Sequence, residues 1–415
     1  MKISDVALIC LRCEREFPGT TGIKSQGCPV CASEAPSNFR AQYAQQWDIT
    51  ERKAHGIPSL WRYRSMLPIA AESQETLGEG LTPLTPLLRL GSDYGLPALF
   101  LKDESRNPTG SHKDRFSAVF ISYARQRGYG TVATASSGNA GASLAAYASR
   151  ANLKCVVATS AGGPQAMAAQ IEAFGATIMP FEDKQDRWRF LEEGENHHGW
   201  LVASPFRAPV VGSHPIGIAG YKTLAYEIVE QMGGRCPDWC ALPVCYGDAL
   251  IGMWQGFKDL KNLGIVQKLP RLVAAEAYGS LSQTIVDRSD RLASMPRDFD
   301  TVAVSIGAAQ STFQALTALR ESNGHACSLT NEELLGVQSR LARNEGVFGE
   351  LSAVAPLAAI SKLLEGGTIA RHETVVAIST SSGLKDLDIS GRASRPTAIF
   401  SSPQAAWAAL KGAAT

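Results

Sequence analysis

Short apolar runs alternate with helical segments along much of the chain. TVATA at 131–135, CVVATS at 155–160 and ATIMPF at 176–181 have the composition of buried strands. Between them, SSGNAGASLAAYASR at 136–150 and AGGPQAMAAQIEAFG at 161–175 have helical spacing with glycines near their ends. Strands alternating with helices in this way predict parallel βαβ units.

A second series of the same kind begins at WCALPVCYG, residues 239–247. It continues through RLVAAEAYG at 271–279 and TVAVSIG at 301–307, and it closes with SAVAPLAAISKLLEGG at 352–367 and ETVVAISTSSG at 373–383. The two series predict an α/β protein with two open, mostly parallel α/β domains that face one cleft. Ligands of such sheets bind beyond the carboxyl ends of the strands, so the glycine-rich turns after strands are the candidate binding elements.

The length of 415 residues and the 45% hydrophobic content allow more than one core. We predict a cysteine-bearing segment at 1–40, a large domain formed by 41–115 and 213–395, a small domain at 116–212, and a C-terminal tail at 396–415.

The charge balance bears on possible partners. A net charge of +1 gives no electrostatic reason to expect nucleic acid or an anionic membrane, and it favours a small-molecule ligand. The longest apolar runs fall short of the roughly 18 to 20 residues of a membrane span. The first residues do not resemble a secretory signal, so we predict a cytoplasmic protein.

Four of the nine cysteines have paired spacing. Cys10, Cys13, Cys28 and Cys31 form C-x2-C-x14-C-x2-C, a pattern that can direct four thiolates at one tetrahedral zinc ion. Four sulfur ligands leave no open coordination position, so we predict a structural zinc site. The alternative is a set of ordinary buried thiols.

Lys113 follows a Pro-Thr-Gly-Ser turn in NPTGSHKDR, residues 107–115. The turn residues place this lysine where a loop becomes a helix. The positive end of a helix dipole favours a neutral amine, the form that attacks a carbonyl carbon to make a Schiff base. Lys113 is therefore a candidate nucleophile.

Three turns provide complementary chemistry. SSGNAG at 136–141 can bind an anion at a helix start, and CYGDALIGMWQGF at 245–257 can hold a phosphate on backbone amides, provided that the Asp248 carboxylate points away or caps the helix. STSSGLKD at 379–386 offers hydroxyls to a ring nitrogen. Each turn alone could be an ordinary loop. Together with Lys113 they predict a pyridoxal phosphate site.

These motifs resemble those of fold-type II pyridoxal phosphate enzymes, the superfamily of the tryptophan synthase β-chain, and most closely its threonine synthase branch. The resemblance covers roughly residues 60–390 and includes TLGEGLTPL at 76–84, GYKTLAYEI at 220–228 and GVFGELSA at 346–353. Threonine synthases often begin with a cysteine knuckle as well. The resemblance implies an amino-acid substrate and a homodimer.

The resemblance also implies roles for individual residues. Lys113 would form the Schiff base with the cofactor and then move protons, and Asn139 would bond its phenolic oxygen. Thr380, or Ser381 or Ser382 in its place, would face the pyridine nitrogen. The remaining binding residues are those for the substrate carboxylate, Ser136, Ser137 and Gly138, and those for the cofactor phosphate, Gly247, Asp248, Ala249 and Leu250.

One motif departs from the threonine synthase pattern. HPIGIAGYKT at 214–223 has His214 and Gly217 where those enzymes have an asparagine and an arginine that hold the substrate phosphate. His112 stands where phenylalanine is more usual. Each histidine either contacts the substrate or only packs against the cofactor wall.

A hydroxyl rather than a carboxylate at the ring nitrogen favours elimination and replacement beyond the α-carbon. We therefore predict a threonine synthase-like lyase acting at the β or γ carbon of O-phosphohomoserine or a related amino acid. The alternatives are a threonine or serine dehydratase-type ammonia-lyase and a β-replacing synthase. A non-catalytic homologue is disfavoured because Lys113 and all three turns are present.

Overall fold

The computed structural model describes residues 6–19, 26–31, 35–48, 56–163, 165–387 and 399–412. The predicted end of the large domain at residue 395 lies outside these ranges. The strands, in chain order, are β1 Ala7–Cys10, β2 Glu16–Pro18, β3 Phe39–Gln42, β4 Leu84–Pro86, β5 Leu99–Asp103, β6 Thr131–Ala135, β7 Lys154–Ser160, β8 Thr177–Phe181, β9 Leu201–Val202, β10 Trp239–Pro243, β11 Arg271–Glu276, β12 His325–Ser328 and β13 Val375–Ser379.

The α-helices surround these strands. They are α1 Leu88–Tyr94, α2 Lys113–Gln126, α3 Asn139–Arg150, α4 Gln165–Ala173, α5 Lys184–His197, α6 Pro215–Ile218, α7 Lys222–Gln231, α8 Asp248–Asn262, α9 Ser280–Val286, α10 Phe313–Glu321, α11 Asn331–Glu345, α12 Leu351–Glu365 and α13 Pro403–Gly412. None of the helices in the described ranges is long and apolar enough to cross a membrane.

The strands form three sheets. The largest has the order β12-β11-β10-β13-β5-β4, and all its neighbours are parallel except β4 and β5. A second sheet has the parallel order β8-β7-β6-β9. The third, β2-β1-β3, is antiparallel and contains Cys10, the first of the four paired cysteines. The mixed α/β class with two mostly parallel sheets is thereby confirmed, while the domain bounds stay predictions.

One segment differs from the expected strand and helix alternation. Within 301–307, Val304–Ile306 forms a single 3-10 turn, and the Val304 side chain is exposed. The edge position beside β11 belongs instead to β12, which pairs from Val273↔His325 to Glu276↔Ser328. The β-branched composition of 301–307 wrongly indicated a strand. Which segment pairs at the edge of a sheet depends on tertiary contacts and not on local composition alone.

The apolar runs form the core as their composition predicts. β10 and β13 are buried on both faces, and α12, which contains Pro356, packs between the sheet and α11. α2 is buried over nearly its whole length, because it packs on α3 on one side and on α6 on the other. The start of α2 is therefore held in place by helices on two sides.

A buried charge cluster lies along α2 and α7. The Arg115 guanidinium donates to Glu104 at 2.7 and 2.8 Å and to Glu227 at 2.6 and 2.8 Å. Lys102 donates to Glu227 at 2.6 Å, so two cations face two carboxylates. Since these four side chains are almost completely buried, each charge depends on its partners. The cluster joins the two motifs TLGEGLTPL and GYKTLAYEI to the helix that begins at Lys113.

Candidate active site

Lys113 is the first residue of α2. The next residue, Asp114, holds the preceding loop through hydrogen bonds. The Asp114 carboxylate is buried and accepts hydrogen bonds from the Thr109 hydroxyl at 2.6 Å and the Thr109 amide at 2.7 Å. Gly110 takes a φ of +79°, the left-handed conformation that the turn requires. The sequence NPTGSHKD thus holds the lysine at a fixed loop-to-helix junction.

The hydroxyl-rich turn after β13 pairs directly with this loop. Ser381 forms a β-bridge with Ser111, and the Ser382 amide donates to the Gly110 carbonyl at 3.1 Å. The His112 amide donates to the Thr380 carbonyl at 2.9 Å. The structure therefore brings two segments that are more than 260 residues apart in the sequence to one site.

Asn139, the first residue of α3, lies against the same turn. Its side-chain amide nitrogen donates to Glu350 at 2.7 Å, and its oxygen accepts from the Lys385 ammonium at 2.8 Å and from the Ser381 hydroxyl at 3.3 Å. Burial lowers the pKa of Lys385, while the carboxylates of Asp114 and Glu350 act in the opposite direction. The Asn139 amide is thus oriented by one acidic and one basic side chain.

Glu350 and Lys385 are site residues that sequence reasoning did not assign. Glu350 belongs to the motif GVFGELSA, and Lys385 belongs to the motif STSSGLKD. Their contacts with Asn139 depend on the folding of three distant segments, and no local pattern indicates them. The available signal was the charge of each residue within a motif of otherwise mostly uncharged residues.

The serines of SSGNAG lie at the carboxyl end of β6. The Ser136 hydroxyl accepts from the Gly138 amide at 3.2 Å, and the Ser137 hydroxyl accepts from the Ser160 amide at 2.9 Å. All three residues are half-buried. They lie at the start of α3, next to Asn139.

α8 begins after the carboxyl end of β10. Gly247 precedes it with a φ of +72°, and a Cβ there would lie 2.4 Å from the Ala315 Cβ. The backbone amides of Asp248, Ala249 and Leu250 open the helix and lack intrahelical acceptors by position. The structure offers an anion-binding helix start at this edge of the sheet.

The Asp248 carboxylate is turned away from that helix start. It accepts from the Ser213 amide at 3.0 Å, the Ser213 hydroxyl at 2.6 Å and the Gln314 side chain at 2.6 Å. Asn38, beside the N-terminal cysteines, donates to the Ser213 carbonyl at 2.9 Å and to the Gln314 side chain at 3.0 Å. These bonds remove the negative side chain from the position in which it would repel a phosphate.

The two histidines have different surroundings. The His112 ring stacks on Tyr221 with centroids 5.4 Å apart, and burial together with the neighbouring Lys113 charge lowers its pKa well below the ordinary value. His214 is fully buried, caps α6 through Nδ1, and packs against the rings of Phe120 and Tyr123. The structure places His112 beside Lys113 and His214 inside the core.

The glycine that replaces the expected arginine is closely packed. A Cβ at Gly217 would lie 2.4 Å from the Phe116 ring, which occupies the space a side chain would need. Phe116 lies on α2, one turn after Lys113. A side chain at position 217 would therefore require the Phe116 ring to move.

The four N-terminal cysteines come together as their spacing predicts. Their sulfur atoms all lie within 4.8 Å of one another, and the Cys10–Cys31 and Cys13–Cys28 sulfur pairs are each 3.8 Å apart. The other five cysteines are distributed through the two domains as free thiols.

The comparisons with known proteins agree with this geometry. A family model described as pyridoxal-phosphate dependent enzyme matches residues 75–381, which include Lys113 and the turns around it. The chain belongs to this family of pyridoxal-phosphate dependent enzymes.

The similar curated proteins are more specific. Threonine synthase of Methanocaldococcus jannaschii is 35% identical over 344 residues, which cover 81% of this chain and 82% of that protein. Threonine synthase of Methanosarcina acetivorans is 36% identical over 337 residues, covering 79% and 80%. The chain is thus a threonine synthase-like member of the family.

Solved structures share the fold at lower identity. The processed form of threonine deaminase isoform 2 from Solanum lycopersicum has a TM-score of 0.62 at 20% identity, covering 76% of this chain and 88% of that one. Maize serine racemase has a TM-score of 0.63 at 18% identity, covering 80% and 94%. These similarities confirm the predicted fold type.

Proposed function

We propose that this protein is a threonine synthase-like lyase, which eliminates a leaving group from the γ or β carbon of an amino acid and then adds water at the β carbon. The observation that carries the proposal is the convergence of Lys113, Asn139 and the hydroxyl-rich turn after β13 on one site. The similarity to threonine synthases over about four-fifths of the chain supports the same reaction.

The residues present fit pyridoxal phosphate. Among the described residues no carboxylate lies within ion-pair distance of the Lys113 ammonium, and the start of α8 offers amides without a competing carboxylate. Lys113 would hold the cofactor through its amine, and the amides of 247–250 would hold its phosphate. Asn139 and Thr380 would bond the phenolic oxygen and the ring nitrogen. When bound, the cofactor supplies an electron sink that stabilises negative charge on the substrate.

The chain's own residues would then bind the substrate and move its protons. Ser136, Ser137 and Gly138 present hydroxyls and an amide to the α-carboxylate at the start of α3. The Lys113 amine takes the α-proton and returns protons to later positions. The low pKa of His112 keeps its ring neutral at neutral pH. The ring therefore lies beside Lys113 without adding a second positive charge.

The test is the incubation of the purified holoenzyme with O-phosphohomoserine, followed by the measurement of phosphate and threonine. Formation of both in equal amounts is expected. In Lys113→Ala, both the products and the visible absorbance of the lysine-bound cofactor should be lost. Wild-type protein that retains the cofactor absorbance but releases neither product would contradict the proposal.

A dehydratase-type ammonia-lyase is the second candidate, and the packing of Gly217 against Phe116 favours it. Without an arginine at 217, a substrate that lacks a phosphate needs no replacement cation. Incubation with L-threonine or L-serine distinguishes the two functions. Ammonia and a 2-oxo acid in equal amounts would indicate the ammonia-lyase, whereas no reaction with these two amino acids together with threonine formation from O-phosphohomoserine would indicate the synthase.

We also propose that the four N-terminal cysteines bind a structural zinc ion. Four sulfurs at about 2.3 Å from a central zinc are about 3.8 Å from one another in a tetrahedron. The Cys10–Cys31 and Cys13–Cys28 sulfur pairs have this separation. One equivalent of zinc is expected in the purified protein and should be absent from Cys13→Ser, while Cys327→Ser keeps it. Wild-type protein without stoichiometric zinc would contradict the assignment.

A further inference from the structure

Arg187 on α5 is a buried cation that forms no ion pair with any carboxylate of the described residues. Only 8% of the residue is exposed, and its Nε has no hydrogen-bond partner in the part of the chain that the structure describes. The nearby acidic residues of the same helix are engaged elsewhere, since Asp183 caps the helix and Asp186 pairs with Arg189. A buried charge without a partner is costly, so an anion from outside the chain is the expected complement.

Two further cations lie near Arg187. Lys184 is one turn earlier on the same face of α5. Its pKa is lowered mainly by partial burial, and to a smaller extent by the charges of Arg297 and Arg187. Burial raises the pKa of Tyr246, and the charges of Arg297 and Arg187 oppose that rise. Arg297 and Arg187 thus both lie near the Tyr246 phenol, and Lys184 lies near both arginines. The mutual repulsion of the three cations favours binding of an anion among them.

The cluster adjoins the candidate active site. Tyr246 immediately precedes Gly247, at the start of α8. Burial raises the pKa of the neighbouring Cys245 to about 11, and both Lys113 and Lys184 lie close enough to oppose that rise. Lys184 of the cation cluster and the candidate nucleophile Lys113 therefore both lie near the same cysteine.

We propose that Arg187, together with Lys184 and Arg297, binds an anionic group, a phosphate or a carboxylate, at the side-chain end of the amino-acid substrate. This inference rests on the proposed function and narrows its substrate class to amino acids with a negatively charged side chain or leaving group. The planar guanidinium suits a bidentate contact with either anion. The cluster would supply from the small domain the charge that Gly217 cannot supply.

The other source of an anion at this place is the phosphate of the cofactor. The test therefore compares two ligands by their effect on the visible absorbance of the bound cofactor, L-2-amino-5-phosphonopentanoate and L-norvaline. They share a five-carbon chain, and only the first carries a phosphonate. Retention of the cofactor during dialysis is measured in parallel.

In the wild-type holoenzyme the phosphonate should bind at least tenfold more tightly than norvaline. In Arg187→Met this preference should fall at least tenfold, with unchanged norvaline affinity and unchanged cofactor retention. The unchanged norvaline affinity also shows that the variant is folded. Arg189→Met, an exposed arginine of the same helix, is the matched control and should keep the preference.

Three results would overturn the proposal. Equal binding of the two ligands by wild-type protein would exclude the anion subsite while leaving the proposed function intact. Loss of the cofactor from Arg187→Met without a change in ligand preference would assign the cation to the cofactor phosphate. No response of the wild-type cofactor absorbance to either ligand would count against the proposed function itself, and the subsite would fall with it.

Discussion

Replacement of Glu227 by glutamine tests the buried charge cluster that underlies the helix of Lys113. The Glu227 carboxylate accepts from Arg115 with both oxygens, from Lys102 at 2.6 Å, and from the Leu81 amide at 2.8 Å. Glutamine keeps the shape but removes the charge, so two buried cations would remain with Glu104 as their only close carboxylate within the cluster. The variant should therefore be strongly destabilised.

The size of the effect follows from the environment of the carboxylate. Burial raises the pKa of Glu227, but the charges of Arg115 and Lys102 outweigh it and lower the pKa from 4.5 to about 2. This difference corresponds to roughly 3 kcal/mol of stability at neutral pH. Removal of one partner from a buried ion pair costs about 3–5 kcal/mol, so the two arguments agree on a loss of about 3 kcal/mol.

The pH dependence has a definite sign. Because the pKa is lower in the folded state than in the unfolded state, the stabilisation is complete above the unfolded pKa. It is lost as the pH falls from about 5 towards 2. The difference between the wild type and Glu227→Gln should be largest at pH 7 and smaller by roughly 1 kcal/mol at pH 4.

The assay is urea unfolding of the holoenzyme, followed by far-ultraviolet circular dichroism at both pH values. Glu230→Gln is the matched control, one turn further along the same helix. Glu230 pairs with Arg62, but 29% of its side chain is exposed, so its loss should cost about 1 kcal/mol or less. The reasoning is refuted if the two variants lose equal stability, or if the effect of Glu227→Gln is the same at pH 4 and pH 7.

Two further predictions concern the candidate site. Gly247→Ala should reduce cofactor retention during dialysis at least tenfold, because its Cβ would meet Ala315 at 2.4 Å; Gly264→Ala has the same φ of +72° with open space around it, and should retain the cofactor. Lys385→Met should lower kcat at least tenfold and shift the cofactor absorbance, since it removes the ammonium that fixes Asn139. A normal spectrum and normal turnover in that variant would show that Lys385 has no such role.

The strands that sequence analysis located well are those with a strong local signal. TVATA is β6 residue for residue, because β-branched and small apolar residues suit a strand that is covered on both faces. β12 consists of His-Ala-Cys-Ser and carries no such signal, since an edge strand can be recognised only from its partner. The apolar segment at 301–307 was included in the second strand and helix series instead, because its local composition is typical of a strand.

The residues of the candidate site also differ in how clearly the sequence indicates them. Lys113 and the three turns were recognisable because each combines glycine, serine or proline with a change from one element to the next. Glu350, Lys385 and Arg187 were not recognisable, because their positions near the site depend on how distant segments pack. Charged residues that act through tertiary contacts leave no periodic trace in the sequence.

Asn38 connects the cysteine segment to the proposed cofactor site through hydrogen bonds. It bonds Ser213 and Gln314, and these same two residues hold the Asp248 carboxylate away from the start of α8. If a metal ion fixes the cysteine segment, it also favours the arrangement that receives the cofactor phosphate. Metal and cofactor are then coupled ligands, and reciprocity requires that each raise the affinity of the other by the same factor.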